Sequence, residues 1–296
     1  MPFLQIHLSL DGLDADAVEE ACLDTGAIAV TLEDAGDAPI LEPAPGATPL
    51  WPSVALSALY PITTDAPAVV AALREWTGRA ALEVRTDVLE DRPWEREWLK
   101  DFKPMRFGQR LWICPGGQLP PAQAAADAEP VIVWLDPGLA FGTGTHPTTA
   151  LCLAWLDGAT LEGRRVLDVG CGSGVLAVAA LRLGAAAALA VDIDPQALIA
   201  TAQNALRNSV QTRLEVRAAE PAWGTHYDVV LANILAEPLV ALAPRLAAAT
   251  RSGGWLVLSG LLGPQADTVA SACGPWFDMA PPREREGWVG LVGRRR

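Results

Sequence analysis

The sequence predicts a doubly wound α/β domain with a small α+β domain in front of it. Three observations carry this reading: strands and helices that alternate from residue 131 onward, a glycine-rich strand-to-helix turn at residues 168–174, and a β-α-β-β-α-β pattern within residues 1–90. With 296 residues, 51% apolar and 19% charged, the chain is long enough for two domains and has a normal globular balance.

In the front part, Leu4, Ile6, Leu8 and Leu10 alternate with Gln5, His7 and Ser9, the period of a half-buried strand. Helical spacing follows from Asp14 to Asp24, Gly26 stops it, and Ile28, Val30 and Leu32 alternate again. Beyond the turn-rich stretch from Pro39 to Pro49, Val54–Tyr60 reads as a strand, Ala66–Trp76 as a helix, and Leu82 and Val84 as the start of a last strand. This order is the split-βαβ, ferredoxin-like plan, which by itself assigns no function. Trp94, Trp98 and Phe102 at i, i+4 and i+8 form one apolar stripe on a charged connecting helix. The Pro- and Gly-rich stretch Pro115–Pro130 reads as a surface loop, so the expected division is 1–90, a connector 91–130, and a second domain 131–296.

In that second domain seven strands are expected, at Val131–Leu135, Arg165–Val169, Ala188–Asp192, Leu214–Arg217, Asp228–Ala232, Trp255–Ser259 and Trp288–Val292. Helices fit Pro147–Leu156, Val175–Leu183, Pro195–Arg207, Leu239–Ala249 and Pro264–Ala272. Such alternation predicts a parallel sheet covered on both faces, a Rossmann-like architecture whose ligands sit at the carboxyl ends of the strands.

Charge and cysteine use narrow the function classes. The net charge of −13 is uneven: residues 1–103 hold 19 acidic and 7 basic side chains, residues 104–296 hold 16 and 15. An acidic front disfavours a nucleic-acid substrate docking there and suits a basic protein partner. Five scattered cysteines without a CxxC pair suggest neither disulfides nor a zinc knuckle, and the three histidines build no metal site. The apolar runs fall short of the roughly 20 residues a membrane-spanning helix needs, and Met1–Leu10 lacks a basic signal-like start, so a cytoplasmic protein is expected.

The chemistry concentrates in two motifs. Val166-Leu167-Asp168-Val169-Gly170-Cys171-Gly172-Ser173-Gly174 is a strand running into alternate glycines at a helix start, where the backbone can pass close under a ligand and free N–H groups can meet it. Ala190-Val191-Asp192-Ile193-Asp194 ends a second strand in an acid 22 residues after Gly170, placed to accept both hydroxyl hydrogens of an adenosine ribose. Asp194, before Pro195, is read as the cap of the next helix. Nicotinamide dinucleotides and S-adenosylmethionine both use this geometry. The pattern here is D-x-G-x-G-x-G and not G-x-G-x-x-G, and an acid two residues before the first glycine suits a cationic ligand better than a pyrophosphate.

At this point the chain resembles the class I methyltransferases, and within them one family. Asp136-Pro137-Gly138-Leu139-Ala140-Phe141-Gly142-Thr143-Gly144-Thr145-His146-Pro147-Thr148-Thr149, followed by VLDVGCGSGVLA and AVDIDPQAL, is similar to the ribosomal protein L-eleven methyltransferases, and so are WEREWLKDFKPMRFG and the front domain. The resemblance implies transfer of methyl groups from S-adenosylmethionine to lysine ε-amines and the N-terminal amine of large-subunit ribosomal protein eleven, up to trimethylation. It implies no membrane, metal or direct nucleic-acid substrate. Carried over by position, it implies cofactor contacts at Thr149, Gly170, Asp192 and Asn233, with Gly172 and Ile193 completing the set.

Asn233 is also the expected catalytic residue. It stands in Asp228-Val229-Val230-Leu231-Ala232-Asn233-Ile234-Leu235-Ala236, at the carboxyl end of a strand. Methyltransferases of glutamine side chains usually read N-P-P-Y there; N-I-L-A lacks that clamp for a flat amide and favours a flexible amine. His146, before Pro147 at a helix start, is expected to be structural and not a base, and the loop Gly138–Thr145 is expected to close over bound cofactor.

Overall fold

In the computed structural model the strand pattern at the amino terminus becomes a four-stranded sheet. The structure describes residues 2–10, 12–36, 50–79, 81–90, 103–121, 129–135, 146–219 and 223–296; the expected connecting helix and the loop Gly138–Thr145 lie outside them. The chain divides into two compact units, Met1–Glu97 and Trp98–Arg296.

The first unit runs β1 (Phe3–Ser9), α1 (Ala15–Asp24), β2 (Ala29–Asp34), β3 (Val54–Pro61), α2 (Ala66–Thr77), β4 (Val84–Leu89). Its spatial order is β2-β3-β1-β4, with every neighbour antiparallel. Alternation decides which face is buried: Leu4, Ile6 and Leu8 of β1 join Val18, Cys22, Leu56, Tyr60 and Leu73 in one core. Gln5 and His7 point the other way, and His7 Nδ1 meets Ser57 Oγ at 2.8 Å on that face. Both helices start on an aspartate cap: Asp14 accepts from the Ala17 N–H and Asp65 from the Ala68 N–H.

The second unit is built on an eight-stranded sheet. Its path is β10 (Leu214–Ala218), β9 (Ala187–Asp192), β8 (Arg165–Val169), β11 (Tyr227–Asn233), β12 (Thr250–Leu262), β15 (Trp288–Arg295), β13 (Phe277–Met279), with β14 (Arg283–Arg285) paired to β15. Strands β10 to β12 are parallel, whereas β15 runs antiparallel to β12, β13 and β14, so the sheet is mixed and not parallel throughout. One expected member belongs elsewhere. The strand at 131–135 is β7 (Val131–Trp134), which joins β5 (Met105–Phe107) and β6 (Leu111–Cys114) in a separate three-stranded sheet. Sequence patterning finds neither β5 and β6 nor β13 and β14, because three or four residues are too few to show a period.

The central strands read as unbroken apolar runs because both faces are covered. Successive residues go to opposite cores: Val166, Val229 and Leu231 face α3 (Pro147–Gly158), α4 (Val175–Arg182) and α5 (Pro195–Arg207). Leu167, Val230 and Ala232 face α6 (Ala236–Ala249) and α7 (Ala266–Cys273).

Asp157, on the last turn of α3, fastens the small sheet to the large one. Its buried carboxylate accepts the backbone N–H groups of Gln109, Arg110 and Leu111 at the β5–β6 turn, the last at 3.0 Å. Replacing it with alanine strands those donors, each at roughly 1–3 kcal/mol where buried. We expect Asp157→Ala to lower the unfolding free energy by about 3 kcal/mol in urea titrations; a loss below about 1 kcal/mol would show the turn is held some other way.

Candidate active site at the carboxyl ends of the central strands

Strand β8 ends at Val169, and Gly170, Gly172 and Gly174 then take φ values of 72°, 52° and 75° before α4 begins. At Gly170 the requirement for glycine is steric as well as torsional: a Cβ there would lie 2.2 Å from Ile234 Cγ2. The turn is tied to its neighbours on three sides. The Gly170 and Cys171 N–H groups donate to the Val191 carbonyl at 2.8 and 3.1 Å, Thr201 Oγ1 donates to the Gly172 carbonyl at 3.0 Å, and Asn204 Nδ2 donates to the Ser173 carbonyl at 2.8 Å. Thr201 and Asn204 share one face of α5 with the buried Ala197 and Ala205. Polar residues at helical spacing on an apolar face are the sequence signal for these supports, and it lies outside the strand-end motifs.

Asp192 closes the β9 side. Its Oδ2 accepts the Gly172 N–H at 2.9 Å and its Oδ1 accepts the Asp194 N–H at 3.0 Å, so two backbone donors fix the carboxylate plane. Each oxygen keeps a second lone pair for a further donor. Asp194 caps α5 through the Gln196 N–H at 2.8 Å, as expected. Next to Asp192, the Ile193 side chain is 90% exposed, an apolar surface of the size that covers a flat ring.

On the β11 side, Asn233 Nδ2 donates to Thr149 Oγ1 at 3.3 Å, which leaves Oδ1 as the acceptor of that amide. Thr149 stands buried in the first turn of α3. The loop after Asn233 rests on Gly260, where φ is +89° and a Cβ would meet the Ile234 carbonyl oxygen at 2.3 Å. His146 caps α3: its Nδ1 lies 3.4 Å from the Thr148 N–H and 2.7 Å from Thr148 Oγ1, and its ring packs edge-on to Trp288. This is the structural role expected of it.

Asp168, the acid that the D-x-G-x-G-x-G spacing reads as suiting a cationic ligand over a pyrophosphate, is fully buried beneath the turn. Its Oδ2 accepts the Ala177 N–H at 3.1 Å, serving a helix whose own cap residue, Gly174, has no side chain to offer. Oδ1 is a buried acceptor without a hydrogen-bond partner among the described residues. Burial pushes the carboxyl up to about 7, against the pull of the Ala177 N–H and with help from the nearby charge of Asp192. Burial likewise pushes the thiol of Cys171, in the same turn, up to about 12, so it is no nucleophile at neutral pH.

A pH dependence follows from Asp168. A carboxyl whose folded value lies near 7, above its unfolded value of about 3.9, contributes stability that is complete below the unfolded value and lost as pH rises to about 7. Asp168→Asn removes this titration. The stability of the native chain should therefore fall relative to the variant between about pH 4 and pH 7 in matched urea titrations, and parallel curves would contradict it.

The geometry brings Gly170, Gly172, Asp192 and Ile193 together on one side of the turn, and Asn233 and Thr149 on the other, with Gly170 against Ile234 between them. Among the described residues no group of three or more His, Cys, Asp or Glu side chains is placed to hold a metal ion. The family model of the ribosomal protein L11 methyltransferases (PrmA) matches residues 2–296. The chain belongs to that family. It is 50% identical over 297 residues to the ribosomal protein L11 methyltransferase of Pseudomonas aeruginosa (strain LESB58), covering 100% of this chain and 99% of that protein. It is 47% identical over 301 residues to the one from Marinobacter nauticus, again over 100% and 99%. Among solved structures, the ribosomal protein L11 methylase from Lactobacillus delbrueckii subsp. bulgaricus is 31% identical, aligns with a TM-score of 0.58, and covers 66% of this chain and 100% of that one.

Membership fixes the class I methyltransferase fold and S-adenosylmethionine as the methyl donor. The residues at the strand ends fit that molecule. A backbone-fixed carboxylate suits the ribose diol, an exposed isoleucine suits adenine, and a glycine at 170, where a Cβ would meet Ile234, lets the backbone pass close to the ligand.

Proposed function

We propose that this chain methylates amines of ribosomal protein L11, lysine ε-amines and the N-terminal amine among them, up to trimethylation. The observation that carries the reading is the pairing of the Gly172–Asp192 contact with the Thr149–Asn233 contact across the ends of adjacent strands, in a chain 50% identical along its whole length to a protein of that name.

When bound, S-adenosylmethionine supplies an electrophilic methyl group on a sulfonium. Asp192 would hold the ribose hydroxyls, Gly170 and Gly172 would let the backbone approach, Ile193 would cover the adenine, and Thr149 and Asn233 would line the methyl-bearing end. The nucleophile is the obstacle: a lysine with a pKa of about 10.4 must lose a proton, which costs about 4–5 kcal/mol at pH 7. Alignment of amine and methyl contributes roughly 7–11 kcal/mol, so no dedicated strong base is needed. Asn233 Oδ1 accepts an N–H of the amine and aims its lone pair, while water takes the proton. Desolvation next to positive charge favours the neutral amine as well.

The front residues 1–90, a ferredoxin-like unit in this reading, select the protein substrate; the stretch 91–130 leads into the catalytic unit and gives it β5 and β6, and residues 131–296 carry the methyl-donor site. The excess of acidic side chains in residues 1–103 supports a basic protein partner over nucleic acid as the methyl acceptor. Among the described residues no helix is long and apolar enough to cross a membrane, and a substrate made for the ribosome puts the work in the cytoplasm.

Incubation with labelled S-adenosylmethionine and purified large-subunit proteins tests this. The full chain is expected to label that one protein, and a chain lacking residues 1–90 to bind cofactor yet transfer nothing. Equal transfer by both would remove the assigned role of the front unit; label on a different protein would remove the substrate.

A further inference from the structure

At the opposite end of the large sheet from the active site, the amino ends of β8, β11 and β12 and the carboxyl end of α3 enclose a cleft of about 490 Å³. That volume lies within the roughly 300–1,000 Å³ typical of small-molecule sites. Its lining is cationic in a chain of net charge −13: Arg164, Arg251, Arg283 and Arg294 against the single carboxylate of Asp228.

Asp228 neutralises at most one of them. Its Oδ1 takes Arg164 Nη1 at 3.1 Å and Arg251 Nε at 2.7 Å, and its Oδ2 takes the Arg165 N–H at 2.8 Å. Burial opposes ionisation there, but these donors together hold the carboxyl below its usual value, so the pairing persists at neutral pH. Arg283 and Arg294 have no ion pair among the described residues. The Arg294 guanidinium lies over Trp255, 4.4 Å from its centroid, and Trp155 meets Trp255 edge to face at 5.9 Å. Guanidinium forks beside half-exposed indole rings match a ligand with a phosphate at one end and a flat base at the other. The carbonyl end of α3 disfavours an anion near Thr160, which puts the phosphate at Arg283 and Arg294 and the base toward Trp155.

We propose that this cleft binds a phosphorylated nucleoside, either free or as one unit of single-stranded RNA, independently of the methyl-donor site. Occupancy leaves the carboxyl ends of the strands untouched, so it acts as an anchor and not as a step in methyl transfer.

The test uses the full chain saturated with S-adenosylhomocysteine, which keeps the cofactor site filled, and titrates inorganic phosphate, uridine monophosphate and a short oligouridylate by calorimetry. Uridine monophosphate is expected to bind more tightly than phosphate if the ligand is a free nucleotide. If the ligand is RNA, only the oligonucleotide is expected to bind measurably, with a salt-dependent affinity. In the Arg283→Ser/Arg294→Ser double variant that binding should weaken at least tenfold, and the Arg283→Lys/Arg294→Lys variant should recover part of it, with cofactor affinity unchanged in both. Failure of uridine monophosphate and oligonucleotide alike to bind, or binding that survives the double serine variant, overturns the proposal.

Discussion

Asp192→Ala is expected to weaken binding of S-adenosylmethionine roughly a hundredfold in calorimetric titrations. The carboxylate is assigned two ribose hydroxyls, and hydrogen bonds to a charged group are worth about 1.5–3 kcal/mol each, so a loss near 3 kcal/mol is a modest expectation. The variant also releases the Gly172 N–H, which Asp192 Oδ2 holds at 2.9 Å, and loosens the turn beneath the ligand. Asp192→Asn keeps one acceptor oxygen and should fall between. The side chain is only partly buried, so the folded state should survive the change, and unaltered affinity for the cofactor would remove the carboxylate from the site.

Asn233→Ala should fall on turnover instead. Misplacing a reacting group by about 1 Å can cost on the order of a hundredfold in rate, and the amide that aims the amine is held from one side by Thr149. We expect kcat to drop by about two orders of magnitude, with cofactor affinity changed less than tenfold. Thr149→Val keeps the shape but removes the hydroxyl that receives Asn233 Nδ2, and should give a smaller loss of the same kind. An Asn233→Ala enzyme with normal kcat would leave the positioning role without support.

Much of this site is legible in the sequence because its chemistry lies in short contiguous motifs at strand ends, where D-x-G-x-G-x-G and the later Asp192 are read without knowing the fold. Asp194 and His146 are legible for the same reason, since each caps the helix that follows it directly. What escapes is what depends on distant residues. Asp168 looks like a ligand contact in one dimension, yet in three it serves the Ala177 N–H from beneath the turn. Gly260 reads as a strand breaker, and the expected strand stops at Ser259. In the fold β12 runs on to Leu262, because the positive φ of Gly260 is a bulge that seats the Ile234 backbone. Gly253 hides the start of the same strand in the same way. In the small sheet β7 is legible as a strand, but its partners β5 and β6 and its place outside the large sheet are not: these depend on Asp157 and on Asn208, which brackets Trp134 with two 2.7 Å hydrogen bonds, and no local pattern encodes either.

The central claim is that the ends of β8, β9 and β11 hold an adenosyl sulfonium. A crystal structure of the chain grown with S-adenosylhomocysteine tests it most directly. It should show the ribose hydroxyls within hydrogen-bond distance of Asp192 and the thioether pointing toward Asn233. Density for the ligand elsewhere, or displacement of it by a pyrophosphate-containing dinucleotide at the same turn, would contradict it.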